Sequence, residues 1–312
     1  MRAQSGMSTR HAAFSPTRAR ALARDLVDEL RVHQWSKNLL VFVAPLLGQV
    51  LFGPGAFARS TIVFVAFCAA ASGVYVVNDL LDLESDRDHP RKRARPFASG
   101  RLPLSFGALG PLLLLMGLGI SASVSLLTGA VVAAYIVVSI GYSWYLKTQP
   151  LVDVFALSLL YTLRLCAGQV ALNIEPSMWL FSFSGFVFLA LALVKRVAEY
   201  QAIAKSGTSY DTRRGYSARD LEILKSMGMS STFASAVVLG LYINSEAAAL
   251  LYQNRILLWG VVPILLFWQA RMWLAVTRGK MTDDPIVYAS TDWVSQLCLA
   301  LIFGVCALAV YT

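Results

Sequence analysis

Ser72-Gly73-Val74-Tyr75-Val76-Val77-Asn78-Asp79-Leu80-Leu81-Asp82-Leu83-Glu84-Ser85-Asp86 passes from uncharged, apolar chain into a cluster of carboxylates within one short stretch. A bilayer-spanning helix needs about 20 mostly apolar residues, and residues 61–80 form such a block. If the helix continues to about Arg87, a turn of roughly 100° per residue brings Asp79, Asp82 and Asp86 within about 60° of one another. Glu84 and Asp88 then face away. Three carboxylates stacked on one face repel unless a cation lies between them, and hard oxygen ligands of this kind suit Mg²⁺. Asn78 adds a neutral amide at the upper edge. A solvated acidic helix end is the bland alternative. Against it, Asn78 and Asp79 sit at the mouth of an apolar helix, where desolvation is costly without a function.

Working outward, apolar blocks fall at about 38–52, 61–80, 106–127, 128–146, 151–173, 177–194, 230–250, 255–275 and 293–311. With 57% hydrophobic and only 14% charged residues, the 312-residue chain has too little charge to cover a soluble domain of its size. The expected fold class is therefore all-α integral membrane, with nine transmembrane helices. The first block is short before Gly53-Pro54-Gly55 and must borrow from Val32–Lys37. Residues 1–30 read as a basic arm without the apolar core of a cleavable signal peptide, and residues 31–312 as one transmembrane domain.

The net charge of +9 is distributed unevenly, and that distribution predicts the orientation. Nearly all Lys and Arg lie in the N-terminal arm or in the connections 81–105, 147–150, 195–229 and 276–292. The opposite side holds Arg59 and Arg255. By the positive-inside rule the N-terminus is cytoplasmic. The same rule accounts for the basic balance without nucleic acid. The expected location is a bacterial inner (cytoplasmic) membrane, multi-pass, with the chemistry facing the cytoplasm. Cys68, Cys166, Cys298 and Cys306 fall in apolar blocks and read as core residues. His11, His33 and His89 show no metal spacing.

The basic run His89-Pro90-Arg91-Lys92-Arg93-Ala94-Arg95-Pro96 follows the carboxylates directly. Topology and anionic lipid explain such runs in general. Proximity to the acids favours phosphate clamping by Lys92 and Arg95, lysine as a point charge and arginine as a bidentate fork. Arg164 stands within a predicted span, where a cation normally faces a cavity or a partner. Asp153, about 16 Å away along the same helix, and Tyr161 share its face. Lys37 follows the interfacial Trp35 and either snorkels or meets a phosphate. Arg213-Arg214-Gly215-Tyr216 reads as a lid element, and Ser217-x-x-Asp220 as a helix start. Asp283-Asp284-Pro285 reads as a solvated turn ahead of proline rather than a second metal site.

On Asn78, Asp79, Asp82 and Asp86 the sequence resembles the UbiA superfamily of membrane prenyltransferases, whose NDxxDxxxD motif ends the second helix. The resemblance runs from His33-Gln34-Trp35-Ser36-Lys37-Asn38 to the last helix, and it implies nine helices around a central cavity and Mg²⁺ dependence. Typical members carry a second motif, DxxxD, between helices 6 and 7. The matching stretch here is Lys195-Arg196-Val197-Ala198-Glu199-Tyr200, in which only Glu199 is acidic. With Gln-Trp-x-Lys-Asn and Asp-x-x-His-Pro-x-Lys-x-x-Arg-Pro, this is similar to the decaprenyl-phosphate phosphoribosyltransferase branch. That likeness implies transfer of 5-phosphoribose from phosphoribosyl diphosphate to a polyprenyl phosphate. It also points to arabinosyl donors for cell-envelope or nodulation-signal glycans. Replacing an acidic motif by Lys195 and Arg196 fits a substrate pair bearing more phosphates.

The expected set is Asp79, Asp82 and Asp86 as metal-holding catalytic residues. Lys37, Asn78, Lys92, Arg95, Tyr161, Arg164, Lys195, Arg196 and Glu199 are expected to bind substrate. One alternative is a prenyltransferase acting on a prenyl diphosphate and an aromatic or other acceptor. Another is a transporter, disfavoured because the acids cluster at one face and no inverted repeat is seen.

Overall fold

The structure, a computed structural model, describes residues 16–89, 92–206, 215–217, 219–281 and 284–312. All regular elements among them are helical. Helix α1 (Pro16–Glu29) precedes a 3-10 stretch, Val32–Phe42, which runs into α2 (Val43–Leu47). Then follow α3 (Ala56–Leu81), α4 (Leu83–Asp88), α5 (Leu109–Val124), α6 (Leu126–Trp144), α7 (Val152–Ala171) and α8 (Met178–Ser206). The chain closes with α9 (Asp220–Ile243), α10 (Glu246–Leu251), α11 (Val261–Thr277), α12 (Pro285–Thr291) and α13 (Trp293–Tyr311). Eight helices among the described residues are long and apolar enough to cross a membrane. Large apolar side chains such as Leu115, Val137, Phe233, Val237 and Phe303 are exposed along them. An apolar exterior of this kind belongs in lipid. The chain is a multi-pass membrane protein.

Successive helices pack in chain order from α5 through α6, α7, α8, α9 and α11 to α13, while α3 lies against α5. The 32–47 segment closes the arrangement by touching α3, α7 and α12. Small residues permit the tightest approaches, as is usual between membrane helices. A Cβ on Gly117 would lie 2.8 Å from the Ala66 carbonyl oxygen, and one on Gly168 2.0 Å from that of Val41. The second contact seats the 3-10 stretch directly on α7.

The structure corrects the sequence reading at three places. The first block is not one long α-helix but 3-10 winding followed by a short α-helix that contains Pro45, which has no N–H to continue an α ladder. The block at 230–250 is displaced: α9 begins at Asp220, and Ser245 caps a separate α10, its Oγ accepting from Ala248 N at 3.3 Å. Asp220, Glu222 and Lys225 disguised the start of that helix as loop. Finally, α3 stops at Leu81, where Asp82 leaves helical geometry (φ −90°, ψ 6°) before α4 resumes. The Asp86 N–H still reaches the Asp82 carbonyl at 2.8 Å. The interruption therefore keeps Asp79 and Asp86 neighbours and turns Asp82 aside.

Candidate active site

Asp79 on the last turn of α3 and Asp86 on α4 are both buried, and one arginine joins them. Arg95 Nη1 donates to Asp79 Oδ1 at 3.0 Å and to Asp86 Oδ2 at 2.5 Å. Arg31 Nη2 donates to both Asp79 oxygens, at 2.7 and 2.9 Å, and its guanidinium lies 4.6 Å over the Tyr75 ring. Lys92 Nζ stands 3.6 Å from Asp86 Oδ1, beyond hydrogen-bond reach, so that oxygen is buried without a partner. Burial, and then Arg95, lower the pKa of Lys92. Asp82 is more exposed and faces Lys147 Nζ at 3.5 Å. Asn78 is half-buried beside them, and its carbonyl oxygen accepts the Asp82 N–H at 2.9 Å. The expected trio is thus a close pair with a third carboxylate set apart.

The end of α1 also reaches this site. Glu29 is 1% exposed, yet neither of its oxygens has a hydrogen-bond partner among the described residues. Burial, and then the Asp79 charge, push its carboxyl up from 4.5 to about 7. Once protonated, Glu29 can donate toward Asp79. Its folded pKa lies above its unfolded one, so the stability it contributes is present below about pH 4.5 and is lost as pH rises through about 7. Wild type and Glu29→Gln are therefore expected to melt alike at pH 4 in metal-free detergent, with the wild type the weaker at pH 8. An equal gap at both pH values would show that Glu29 does not titrate there. Residues 20–29 are no detached arm, since Arg101 also pairs with Asp25.

A second charged cluster gathers residues that the sequence placed far apart. Asp284 is buried and starts α12, its Oδ1 accepting from Ile286 N at 3.2 Å. Lys37 Nζ donates to its Oδ2 at 2.8 Å, Lys195 Nζ at 3.0 Å, and the Tyr161 hydroxyl lies 3.2 Å from both oxygens. Burial would push the Asp284 carboxyl up, but Lys195 and Lys37 outweigh it and hold it well below the usual carboxylate range. The solvated-turn reading of Asp284 is overturned. Asp283 lies outside the described residues. Arg164, 4% exposed, donates from Nε to Asn38 Oδ1 at 2.8 Å, from Nη1 to the Leu160 carbonyl at 2.5 Å and from Nη2 to the Tyr135 hydroxyl at 3.1 Å. It does not share a partner with Asp153.

Lys195 and Arg196, adjacent in sequence, point to different places. Arg196 is fully buried, with Nη2 2.5 Å from Asp153 Oδ2, Nη1 on Glu199 and Nη2 also 3.3 Å from the Tyr142 hydroxyl. Asp153 Oδ1 accepts from the Tyr216 hydroxyl at 2.6 Å, and that hydroxyl accepts from Leu151 N at 2.7 Å. Arg213 and Arg214 of the predicted lid lie outside the described residues, but Tyr216 is a buried anchor on the start of α7. The helix start is present, with Asp220 Oδ2 accepting from Ser217 N at 2.7 Å. Arg271 in α11 is a second cation within a span, and it forks onto Asp292 at 2.5 and 2.9 Å.

Among the described residues no three acidic, histidine or cysteine side chains converge on a metal-sized point. The donor set nevertheless suits a hard divalent ion. Asp79 and Asp86 already share one cationic nitrogen, and Asp86 Oδ1 is a buried oxygen lacking a donor. Two open depressions lie elsewhere, about 320 Å³ beside Gln49, Tyr252 and Tyr311 and about 250 Å³ beside Met229, Phe233 and Phe267. Neither is lined by these charged residues. Sequence reasoning missed Glu29, Arg31, Lys147 and Asp284. Arg31 and Lys147 adjoin apolar blocks and could have been suspected on that ground, whereas Glu29 and Asp284 lie in polar stretches that carry no such signal.

Residues 39–295 match the profile of the UbiA prenyltransferase family. An uncharacterized protein of Sinorhizobium fredii is 38% identical over 89% of the chain, which spans about half, 54%, of that relative. The nodulation protein NoeC of Azorhizobium caulinodans is 32% identical, over 86% of the chain and 88% of its own length. The decaprenyl-phosphate phosphoribosyltransferase of Mycolicibacterium smegmatis is 32% identical over 93% of both. Among solved structures, a UbiA homolog from Archaeoglobus fulgidus bound to GPP and Mg²⁺ superposes with a TM-score of 0.67. It is 15% identical, over 91% of this chain and 99% of that one.

Proposed function

The chain belongs to the UbiA prenyltransferase family and is a membrane transferase similar to the decaprenyl-phosphate phosphoribosyltransferases; on that premise we propose that it moves 5-phosphoribose from phosphoribosyl diphosphate to a polyprenyl phosphate. The observation that carries this reading is the second charged cluster. Where typical relatives place a second acidic motif, this chain presents Lys195, which meets Lys37 on Asp284. A site with one carboxylate pair and added cations suits a substrate pair carrying more phosphates than a prenyl diphosphate with a neutral acceptor.

Asp79 and Asp86, with Asn78 in support and Asp82 reaching in from the Lys147 side, would hold Mg²⁺ at the diphosphate. Bound there, the ion supplies charge neutralisation of the departing pyrophosphate. Arg95 and Lys92 lie against the same carboxylates and can turn onto phosphate oxygens. Departure of pyrophosphate leaves positive charge at C1 of ribose, which the lipid phosphate oxygen attacks from the opposite face. A phosphate monoester is ionised near pH 7, so no strong general base is needed.

The Val32–Leu47 segment supports a ninth span. At about 2.0 Å per residue for 3-10 and 1.5 Å for α winding, it covers roughly 30 Å, one hydrocarbon thickness. The basic connections support a cytoplasmic N-terminus and site, in a bacterial inner membrane. The chain would then divide into a cytoplasmic N-terminal arm, residues 1–30, and a single transmembrane domain, residues 31–312. The likeness to the nodulation protein NoeC supports a role in nodulation, and on this reading the product would supply arabinosyl donors for nodulation-signal or envelope glycans.

The test offers purified protein radiolabelled phosphoribosyl diphosphate or labelled prenyl diphosphate, each with polyprenyl phosphate or an aromatic acceptor, with Mg²⁺ or EDTA. Label is expected in the lipid fraction from the first donor and only with the metal. Transfer from the prenyl donor alone would instead establish the prenyltransferase alternative.

A further inference from the structure

The carboxylate pair at Asp79 and Asp86 leaves the cations of the second cluster without a task. Lys37 comes from the 3-10 stretch, Arg164 from α7 and Lys195 from α8, and they are drawn together inside the bundle. Lys37 and Lys195 share one carboxylate, Asp284. Asp284 takes a single hydrogen bond from each lysine, although an ammonium carries three N–H groups. All of Arg164's hydrogen bonds go to neutral oxygens, and no carboxylate lies within ion-pair distance of it among the described residues. Tyr161 links the halves, its hydroxyl on Asp284 and its ring 6.0 Å from the Arg164 guanidinium carbon. Arg196 cannot serve here, because Asp153 and Glu199 already engage it.

Buried cations are ordinarily matched by anions, since each unmatched charge costs several kcal/mol of lost hydration. Lys37, Arg164 and Lys195 outnumber Asp284, and Glu199, which also acts on Lys195, is itself held by Arg196. We propose that Lys37, Lys195, Tyr161 and Arg164 form a subsite for a phosphomonoester dianion, separate from the diphosphate site, in which Asp284 positions the two lysines and remains in place. A dianion offsets the excess positive charge, and the lysine N–H groups not used on Asp284 supply donors for its oxygens. The phosphate source rests on the transferase reading, as either the acceptor lipid's phosphate or the 5-phosphate of the donor. The existence of the subsite does not.

Binding in EDTA, without turnover, isolates this subsite from the metal-dependent one. Undecaprenyl phosphate and ribose 5-phosphate are each titrated against full-length protein in detergent, with thermal stabilisation as the readout. One of them is expected to stabilise the wild type. Lys195→Gln, at a partly exposed side chain, should weaken that ligand roughly tenfold or more while melting normally unliganded. Loss of the lipid response assigns the subsite to the acceptor, and loss of the ribose 5-phosphate response assigns it to the donor. Should Lys37→Gln fold poorly, Lys37→Gln/Asp284→Asn removes a cation and an anion together and is expected to lose the same response. No stabilisation of the wild type by either ligand, or an unchanged response in Lys195→Gln and the double variant, overturns the proposal. Failure of the labelled-donor assay leaves this binding result untouched.

Discussion

Asp86→Asn is expected to lower transfer by on the order of 10²–10³-fold, the range seen when one preorganised electrostatic partner is removed from an active site. Asp86 is 1% exposed and shares Arg95 with Asp79, and its second oxygen has no donor. Its charge therefore acts at short range in a poorly solvated place, where electrostatic effects are largest. Asparagine keeps the shape, and Arg95 keeps Asp79, so folding should survive and a melting curve can verify that it has. Asp82→Asn should cost less, because Asp82 is about a quarter exposed and faces Lys147 at 3.5 Å. Initial rates at saturating donor would rank the two variants. Equal rates for wild type and Asp86→Asn would remove the carboxylate pair from the chemistry, and a worse Asp82→Asn would move the centre of the site.

The largest effect on stability is expected at Arg196. Removing one member of a fully buried ion pair strands the other, which costs about 3–5 kcal/mol. Arg196 and Asp153 are both 0% exposed. Their contact is short but poorly aligned, since Asp153 Oδ2 and Arg196 Nε have no hydrogen-bond partner. The loss should therefore fall near the lower end, about 3 kcal/mol. Among the described residues, Arg196→Met leaves the Asp153 charge with the Tyr216 hydroxyl and its own helix start. Asp153→Asn/Arg196→Met should recover much of the loss, because the amide can still accept from Tyr216. Thermal unfolding of the two single variants and the double in detergent measures this coupling. Strictly additive losses would mean that the pair contributes nothing as a pair.

Much of the site could be read from the chain because burial of charge is costly wherever it occurs. Asp79 at the mouth of an apolar helix and Arg164 inside one announced themselves in this way, and both are buried. Asp284 did not. Its place ahead of Pro285 correctly signals the start of a short helix, but local grammar cannot show that Lys37 and Lys195 wait across the fold. Lys195 and Arg196 look interchangeable in sequence, yet successive helical residues diverge by about 100°, so one meets Asp284 and the other Asp153. The break at Asp82 was hidden for a related reason. A strict helical projection assumes unbroken winding, and a single residue at the end of α3 was enough to separate one aspartate from its companions.

Arg31 sits with φ at +50°, a backbone shape that costs a residue with a side chain about 1 kcal/mol and glycine almost nothing. Arg31→Gly would ease that strain while stripping a guanidinium from Asp79. The loss outweighs the gain, because Asp79 is buried and, among the described residues, would be left with Arg95 alone, so the strained shape persists as long as the guanidinium holds its carboxylate. The joint between α1 and the first membrane segment is thus kept in its bent form from a distance, by a carboxylate at the far end of α3.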